Sequence, residues 1–152
     1  MPQMILFLDI DGVLHPFAAR HSDRLFTSIA HLWSILERLP EVSVVITSAW
    51  RERHALPELV AMLVAQGGGR YAQRFVGATP VLDDGSGYKP GTRQRETEAW
   101  LAEHAPGSIR HLILDDIETE FSPDCPCLYL VDGATGLTAK DVDAVVARLR
   151  DP

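Results

Sequence analysis

The sequence predicts a three-layer α/β/α fold in which a mostly parallel central sheet carries helices on both faces. Two observations lead to this fold class. Short apolar segments alternate along the chain with segments of helical spacing, and the first apolar segment, residues 4–8 (MILFL), contains no polar position. A strand without polar positions is typical of a parallel sheet that is covered on both sides.

Five strands and four helices are predicted, and they alternate except that no helix separates the last two strands. The strands are short apolar runs, expected at residues 4–8, 42–47, around Phe75 and Val76, at 111–114 and at 128–131. The helices are expected at residues 27–39, 57–66, 92–103 and from Thr138 onward.

Apolar stripes and end signals identify the helices. The first stripe consists of Ile29, Leu32, Trp33, Leu36 and Leu39, and the last of Val142, Val145, Val146 and Leu149. Pro40 ends the first helix, Pro57 begins the second, and the glycines at 67–69 stop it. Thr138 followed by Asp141 is typical of a capping box.

Length and composition fit one domain over residues 1–152, of which 46% are apolar. No apolar run approaches the roughly 18 residues of a membrane span, and no signal peptide is evident, so we expect no membrane association. Cys125 and Cys127 form Cys-Pro-Cys, which suits neither an ordinary disulfide nor a zinc site. We therefore expect reduced thiols and a cytoplasmic location. No obligate protein partner is evident from the sequence.

The net charge of −7 argues against general affinity for polyanions. The charge is uneven, because residues 51–95 carry seven basic and four acidic side chains, a net charge of +3. A solvated mixed surface explains such a segment unless it lies beside a phosphate site.

Polar side chains of complementary chemistry follow the predicted strands. They are Asp9, Asp11 and Gly12 after the first strand, Thr47 and Ser48 after the second, Lys89 in the loop before the third helix, and Asp115 and Asp116 after the fourth strand. Each alone can be explained as a turn or cap residue. Together, carboxylates gathered at one sheet edge would repel one another unless a cation lies between them. Carboxylates, a divalent ion, a hydroxyl and a lysine are the groups that phosphoryl transfer uses.

In this order, D-x-D-G-V, Thr-Ser, a lysine before a helix and Asp-Asp resemble the four motifs of the haloacid dehalogenase (HAD) superfamily. The resemblance covers residues 4 to about 131. More narrowly, residues 46–51 (ITSAWR) are similar to the HAD domain of Swiss Army Knife RNA repair proteins. The resemblance implies a Rossmann-like (HAD-like) fold and a phosphatase that works through an aspartyl-phosphate intermediate.

The resemblance also implies the catalytic roles. Asp9 would be the nucleophile, and Asp11 would protonate the leaving oxygen and then activate water. Thr47 would bind a phosphoryl oxygen, with Ser48 as the alternative because a one-residue slip of the strand end exchanges them. Lys89 would neutralise charge on the nucleophile and on the transferring group.

A Mg²⁺ cofactor is part of the same resemblance. Its ligands would be Asp9, the backbone carbonyl of Asp11, and the pair Asp115 and Asp116. Asp116 is preferred as the direct ligand, with Asp115 orienting it or binding through water, and the sequence leaves that order open. Gly12 would let the backbone approach the phosphate.

Three residues beside the motifs each have two explanations. Arg51 would either clamp a substrate phosphate or form a surface ion pair. Trp50 would either stack on a base or pack in the core, and packing is favoured. His15 would either contact substrate or be incidental, as loop histidines more often are.

Members of the superfamily often cover the site with a cap domain, inserted after the first motif or before the third. Residues 15–26 and 77–88 are too short to form one. We therefore expect no substantial cap and an open site for a bulky phosphomonoester such as a nucleic-acid end, with the +3 segment beside it. The alternative is a non-catalytic HAD-fold module that binds phosphate or nucleic acid.

Overall fold

The computed structural model describes residues 4–82, 85 and 89–151. The strands are β1 (Met4–Leu8), β2 (Val42–Ile46), β3 (Phe75–Ala78), β4 (Arg110–Asp115) and β5 (Leu128–Leu130). The helices are α1 (Ile29–Arg38), α2 (Leu56–Val64), α3 (Thr92–His104) and α4 (Ala139–Arg150). Each predicted strand and helix is present, with bounds within about two residues of those expected, as is usual at element ends.

The five strands form one sheet in the order β3-β2-β1-β4-β5, and every neighbouring pair is parallel. The chain moves outward from β1 through β2 to β3, and then returns to the other side of β1 as β4. Strand order therefore reverses between β1 and β4, and the cleft beyond their carboxyl ends is where open α/β sheets bind ligands.

The central strand β1 is buried on both faces, as its apolar sequence predicts. Leu6 and Leu8 belong to the larger core, which α1, α2 and α4 cover. Ile5 and Phe7 belong to a smaller core under α3, where the Trp100 ring meets Phe7 edge-on with centroids 5.8 Å apart. Helices therefore lie on both faces of the sheet, which confirms the α/β/α layers.

Helix α4 begins with the predicted capping box. The Thr138 side chain accepts a hydrogen bond from the backbone N–H of Asp141, and the Asp141 side chain accepts one from the N–H of Thr138. This reciprocal pair satisfies two of the N–H groups that a helix start leaves without partners.

Two expectations from composition can be compared with the structure. Cys125 and Cys127 are free thiols. Burial, followed by hydrogen bonding to Cys125, raises the pKa of Cys127 to about 12, so this thiol stays protonated at neutral pH. Within the described part of the chain, no helix has both the length and the apolar character that crossing a bilayer requires.

The first interval that could hold a cap domain contains little regular structure. Between residues 15 and 26 the structure has a single three-residue 3₁₀ turn, Phe17–Ala19. The second interval, residues 77–88, lies partly outside the described residues, which exclude Asp83, Asp84 and residues 86–88. On the side of the first interval, the carboxyl edge of the sheet is not covered by an inserted domain.

Candidate active site

The first residues beyond three parallel strands lie side by side at the carboxyl edge of the sheet. Their backbone N–H groups continue the ladder: Asp9 donates to Leu114 at 3.1 Å, Thr47 to Leu8 at 2.9 Å and Thr79 to Ile46 at 3.0 Å. Because side chains alternate along a strand, Asp9, Thr47 and Asp115 face the α3 side, whereas the residue before each belongs to the larger core. This geometry brings the carboxylates of Asp9 and Asp115 and the hydroxyl of Thr47 to one row.

Three carboxylates converge at the strand reversal. Asp9, Asp115 and Asp116 each offer an oxygen, and these oxygens lie within 4.8 Å of one another, so the group could hold a metal ion. Burial, and then the charge of Asp115, raise the pKa of Asp9 well above its ordinary value. Burial likewise raises the pKa values of Asp115 and Asp116. Two buried carboxylates and one half-buried carboxylate therefore disfavour one another's negative charge, and a bound cation would offset this repulsion.

The neighbouring carboxylates Asp115 and Asp116 have different partners. Asp115 accepts from the N–H of Ile117 at 2.9 Å through Oδ1, and from Arg93 at 2.8 Å through Oδ2. In Asp116, by contrast, Oδ1 is buried and has no hydrogen-bond partner among the described residues. An unpartnered buried carboxylate oxygen is costly, so this atom is the better suited of the two to a metal ion.

Two glycines make room for the Asp116 carboxylate. Gly12 has φ of +81°, and a Cβ there would lie 2.1 Å from Asp116 Oδ2; a Cβ on Gly133 would lie 2.7 Å from the same atom. The role expected of Gly12 is to let the backbone approach phosphate, whereas the contact observed is with Asp116. Gly133 is absent from the expected site, although Asp132-Gly133 after β5 repeats the pattern of an Asp-Gly pair after β1.

The cation in contact with Asp9 is Arg93, on the first turn of α3. Its Nη1 lies 3.2 Å from Asp9 Oδ2 and 2.8 Å from Asp115 Oδ2. The predicted neutralising residue, Lys89, is exposed to solvent and precedes Arg93 by about one helical turn, and its role stays a prediction. The attraction of Asp9 and Asp115 raises the pKa of Arg93 against the effect of burial, so the guanidinium stays charged.

The backbone of Arg93 is fixed as well as its side chain. Its N–H donates to Oε2 of the buried Glu120 at 3.0 Å, which satisfies a donor in the first turn of α3. In the sequence, Arg93 stands out only as one member of the basic segment. Its position in the first turn after the third motif is the signal that could have identified it.

The two hydroxyls after β2 differ in what they contact. Ser48 Oγ accepts from the backbone N–H of Trp50 at 3.2 Å and so caps the short turn that follows. Thr47 Oγ1 is buried at the carboxyl edge and has no partner among the residues that the structure describes. A buried hydroxyl without a partner is costly unless a ligand oxygen accepts its hydrogen, whereas the Ser48 oxygen is already oriented by the bond that it accepts from Trp50.

The Arg51 side chain makes its hydrogen bonds and its ion pair with other groups of the protein. Its guanidinium donates to the carbonyls of Thr47, Ser48, Thr79 and Pro80 at 2.7 to 3.2 Å. It also pairs with the buried Glu96 at 2.9 Å. Neither a phosphate clamp nor a surface ion pair describes this residue, because its side chain is buried and holds together the loops that follow β2 and β3.

Asp11 lies beside the cluster and is held by two nitrogen atoms. Oδ1 is 2.8 Å from His15 Nε2 and 3.2 Å from Trp50 Nε1. Trp50 is buried, as the favoured explanation expected, and its indole N–H points to Asp11. His15 is completely buried, so the expectation of an incidental loop histidine is corrected to a residue with a defined partner.

The +3 segment does not lie along the site as a whole. Arg70 contacts Glu37, and Arg74 donates to carbonyls that include that of Val42, the first residue of β2. Val42 is at the amino end of its strand, so Arg74 is at the opposite edge of the sheet from Asp9. Since Arg51 is also bound internally, the segment charge alone gives little support for nucleic-acid binding.

Comparison with known proteins places this geometry in a family. No curated protein gives a significant match. The family model described as the HAD domain in Swiss Army Knife RNA repair proteins matches residues 5–142, which is most of the chain and includes every residue of the acidic cluster. The match confirms the resemblance seen in the motifs, and the chain belongs to this family of HAD domains.

Proposed function

We propose that this protein is a Mg²⁺-dependent phosphohydrolase that cleaves phosphomonoesters through an aspartyl-phosphate on Asp9. The observation that carries the proposal is the convergence of Asp9, Asp115 and Asp116 at one point, with Arg93 against the first two. Buried carboxylates with raised pKa values and a specific charged partner are typical of functional sites.

The residues present fit a divalent metal ion. Asp116 offers its buried Oδ1, which has no partner among the described residues, and Asp9 offers a carboxylate oxygen. The backbone carbonyl of Asp11 is the third ligand of the proposal, and Asp115 would orient Asp116 or bind through water. Oxygen ligands of this kind suit Mg²⁺. When bound, the ion supplies positive charge that reduces repulsion between an anionic nucleophile and an anionic substrate.

The chain's own residues carry the two chemical steps. A carboxylate oxygen of Asp9 attacks phosphorus, the bond from phosphorus to the leaving oxygen breaks, and Asp11 gives that oxygen a proton. In the second step Asp11 takes a proton from water as the water oxygen attacks phosphorus. The bond between Asp9 and phosphorus breaks, so inorganic phosphate leaves and both carboxyl groups return to their starting states.

Four further residues have supporting roles in the proposal. Arg93 offsets negative charge on Asp9. Lys89 keeps its predicted role of neutralising charge on the transferring group. Thr47 donates its hydroxyl to a phosphoryl oxygen, and its lack of another partner among the described residues favours it over Ser48. Arg51 positions the loop that carries Thr47.

The substrate we propose is an accessible phosphate at the end of a nucleic acid. One support is the family description, which names RNA repair proteins. The other is the exposed ring of Phe17, which lies near the site. Phe17 is 41% exposed, and its N–H donates to the carbonyl of Gly133, the residue that borders Asp116. Arg20 covers one side of the ring with its guanidinium carbon 3.9 Å from the centroid. An exposed ring beside a phosphate site suits stacking of a terminal base.

Substrate preference tests this proposal. The protein with Mg²⁺ should release phosphate from RNA or DNA ends with higher kcat/KM than from glycerol phosphate. Phe17→Ala should lower kcat/KM for the nucleic-acid end by about 5- to 100-fold, the equivalent of one stacked base, with little change for glycerol phosphate. Val76→Ala, which also truncates an exposed apolar side chain, is the control.

Two results would count against this function. Efficient hydrolysis of small phosphates without activity on nucleic-acid ends would remove the proposed substrate class and leave the phosphatase. Tight binding of phosphorylated ends without any phosphate release would favour the non-catalytic binding module.

Gly12→Ala, compared with a control glycine, should distinguish two effects: contact of the added Cβ with Asp116, and strain of the left-handed backbone. The added Cβ would overlap the Asp116 carboxylate, so we expect Mg²⁺ affinity, measured by calorimetry, to fall by at least about tenfold, as when a residue that orients a metal ligand is removed. A matched control is Gly67→Ala, since Gly67 has φ of +85° and a Cβ added there would have nothing within 4 Å. Both changes should destabilise the fold by about 1–2 kcal/mol through the left-handed backbone. Equal loss of Mg²⁺ affinity in both variants would contradict the claim that Gly12 makes room for the Asp116 carboxylate.

A further inference from the structure

We propose that His15 is a positioning residue that holds the Asp11 carboxyl in the orientation needed for proton transfer. The inference rests on the proposed function, in which Asp11 is the acid and then the base. It assigns a role to a residue that lies outside the cluster of Asp9, Asp115 and Asp116.

The surroundings of His15 determine which ring nitrogen carries the proton. Nδ1 lies 3.2 Å from the backbone nitrogen of Phe26, whose N–H can only donate. Nδ1 therefore accepts and carries no proton in this arrangement. The proton of the neutral ring is then on Nε2, which lies 2.8 Å from Asp11 Oδ1 and donates to it.

The Phe26 backbone is held in an uncommon conformation that aims its N–H at His15. Phe26 has φ of +61°, a region that bulky residues with a Cβ rarely occupy. Its ring packs 5.8 Å from the His15 ring and 5.5 Å from the Trp50 ring, measured between centroids. Such conformations persist only where surrounding contacts fix them, and here those contacts surround the histidine.

Trp50 adds a second donor to the same oxygen of Asp11. Its Nε1 lies 3.2 Å from Oδ1, so His15 and Trp50 both donate to that atom. The other oxygen, Oδ2, is left for the proton that moves to the leaving group. The Asp11 side chain is 27% exposed, whereas His15 is fully buried. The Asp11 carboxyl therefore reaches the cleft while the buried His15 ring holds one of its oxygens.

The dependence of rate on the leaving group distinguishes positioning from general damage. An alkyl phosphate needs a proton on its leaving oxygen, whereas 2,4-dinitrophenyl phosphate does not. His15→Phe should therefore lower kcat/KM for glycerol phosphate by about 10- to 100-fold, part of the 10²–10⁴-fold that a positioned acid contributes. For dinitrophenyl phosphate the loss should stay below about threefold, because its departure gains little from that acid.

Conservative variants complete the kinetic test. His15→Gln keeps an N–H near the place of Nε2 and should recover most of the activity on glycerol phosphate. Trp50→Phe removes only the second donor and should give a smaller loss with the same preference for the activated ester. Trp33→Phe is the matched control, because Trp33 is also buried but donates to the carbonyl of Gln66.

The tautomer of His15 gives a readout that does not depend on activity. Long-range ¹H–¹⁵N correlation spectra of the wild-type protein, with His15 assigned by comparison with His15→Gln, should show the proton on Nε2 and none on Nδ1. The opposite tautomer would overturn the inference, and so would an equal loss on both esters in His15→Phe. If Asp9→Asn is inactive while the His15 variants lose both esters equally, the proposed function stands and only the positioning role fails.

Discussion

Replacement of the proposed nucleophile, Asp9→Asn, is expected to lower phosphate release by about 10⁴-fold or more, because no other group would form the covalent intermediate. The fold should survive. Asp9 is buried, and burial and the charge of Asp115 already disfavour its ionised form, so a neutral amide removes an unfavourable charge. We expect the free energy of unfolding of the metal-free variant at pH 7 to equal or exceed that of the wild type.

Phosphate release from p-nitrophenyl phosphate with Mg²⁺ measures this effect, and acid-quenched mass spectrometry should find a phosphoryl group on the Asp9 peptide of the wild type alone. Asp132→Asn is the matched control. Asp132 also follows a strand, β5, but its carboxylate accepts from the N–H of Ala134 and lies outside the cluster. Activity of Asp9→Asn within tenfold of the wild type would exclude Asp9 as the nucleophile.

Arg93→Met is expected to have the next largest effect, a loss of about 10²- to 10³-fold in kcat, as for removal of a group that stabilises charge in the transition state. The pH dependence should change in a definite direction. The charge of Arg93 lowers the pKa of Asp9, so its removal raises that pKa further above the ordinary value. Metal binding needs the ionised carboxylate, so the pH at which Mg²⁺ binds half-maximally should move upward.

Two further variants test whether the effect of Arg93→Met comes from the loss of its guanidinium and from its position. Arg93→Lys keeps the charge without the planar guanidinium and should fall between the wild type and Arg93→Met. Arg95→Met makes the same substitution two residues further along α3, where the side chain is exposed and contacts Pro90 and Thr92. If Arg93→Met and Arg95→Met show the same activity and the same pH dependence of Mg²⁺ binding, Arg93 has no role at the nucleophile.

The fold was predictable from sequence because its determinants are local. The apolar run at residues 4–8 indicated a strand buried on both faces, and the stripes at residues 27–39 and after Thr138 indicated helices on a sheet. The carboxyl ends of parallel strands share one edge, so the meeting of Asp9 with Asp115 and Asp116 also followed from the order of the elements.

The residues that surround and position the site side chains were not predictable from sequence in the same way. Whether Lys89 or Arg93 reaches Asp9 depends on how α3 docks on the sheet, a tertiary feature that motif spacing does not contain. The internal bonds of Arg51 join the loops that follow β2 and β3, and His15 is packed against Phe26 of its own segment and against Trp50, which follows β2. Gly133 contacts Asp116 across β4 and β5, so only the three-dimensional arrangement shows its closeness to that carboxylate.

The central claim is that Asp9 faces phosphorus while the acidic cluster holds one divalent ion, and a crystal structure with Mg²⁺ and beryllium fluoride tests it most directly. We expect beryllium bonded to a carboxylate oxygen of Asp9, Mg²⁺ in contact with Asp9 and Asp116, and a fluorine within hydrogen-bonding distance of Thr47 Oγ1. Beryllium fluoride bound elsewhere, or Mg²⁺ absent from the Asp9 and Asp116 carboxylates at saturating concentration, would contradict that claim.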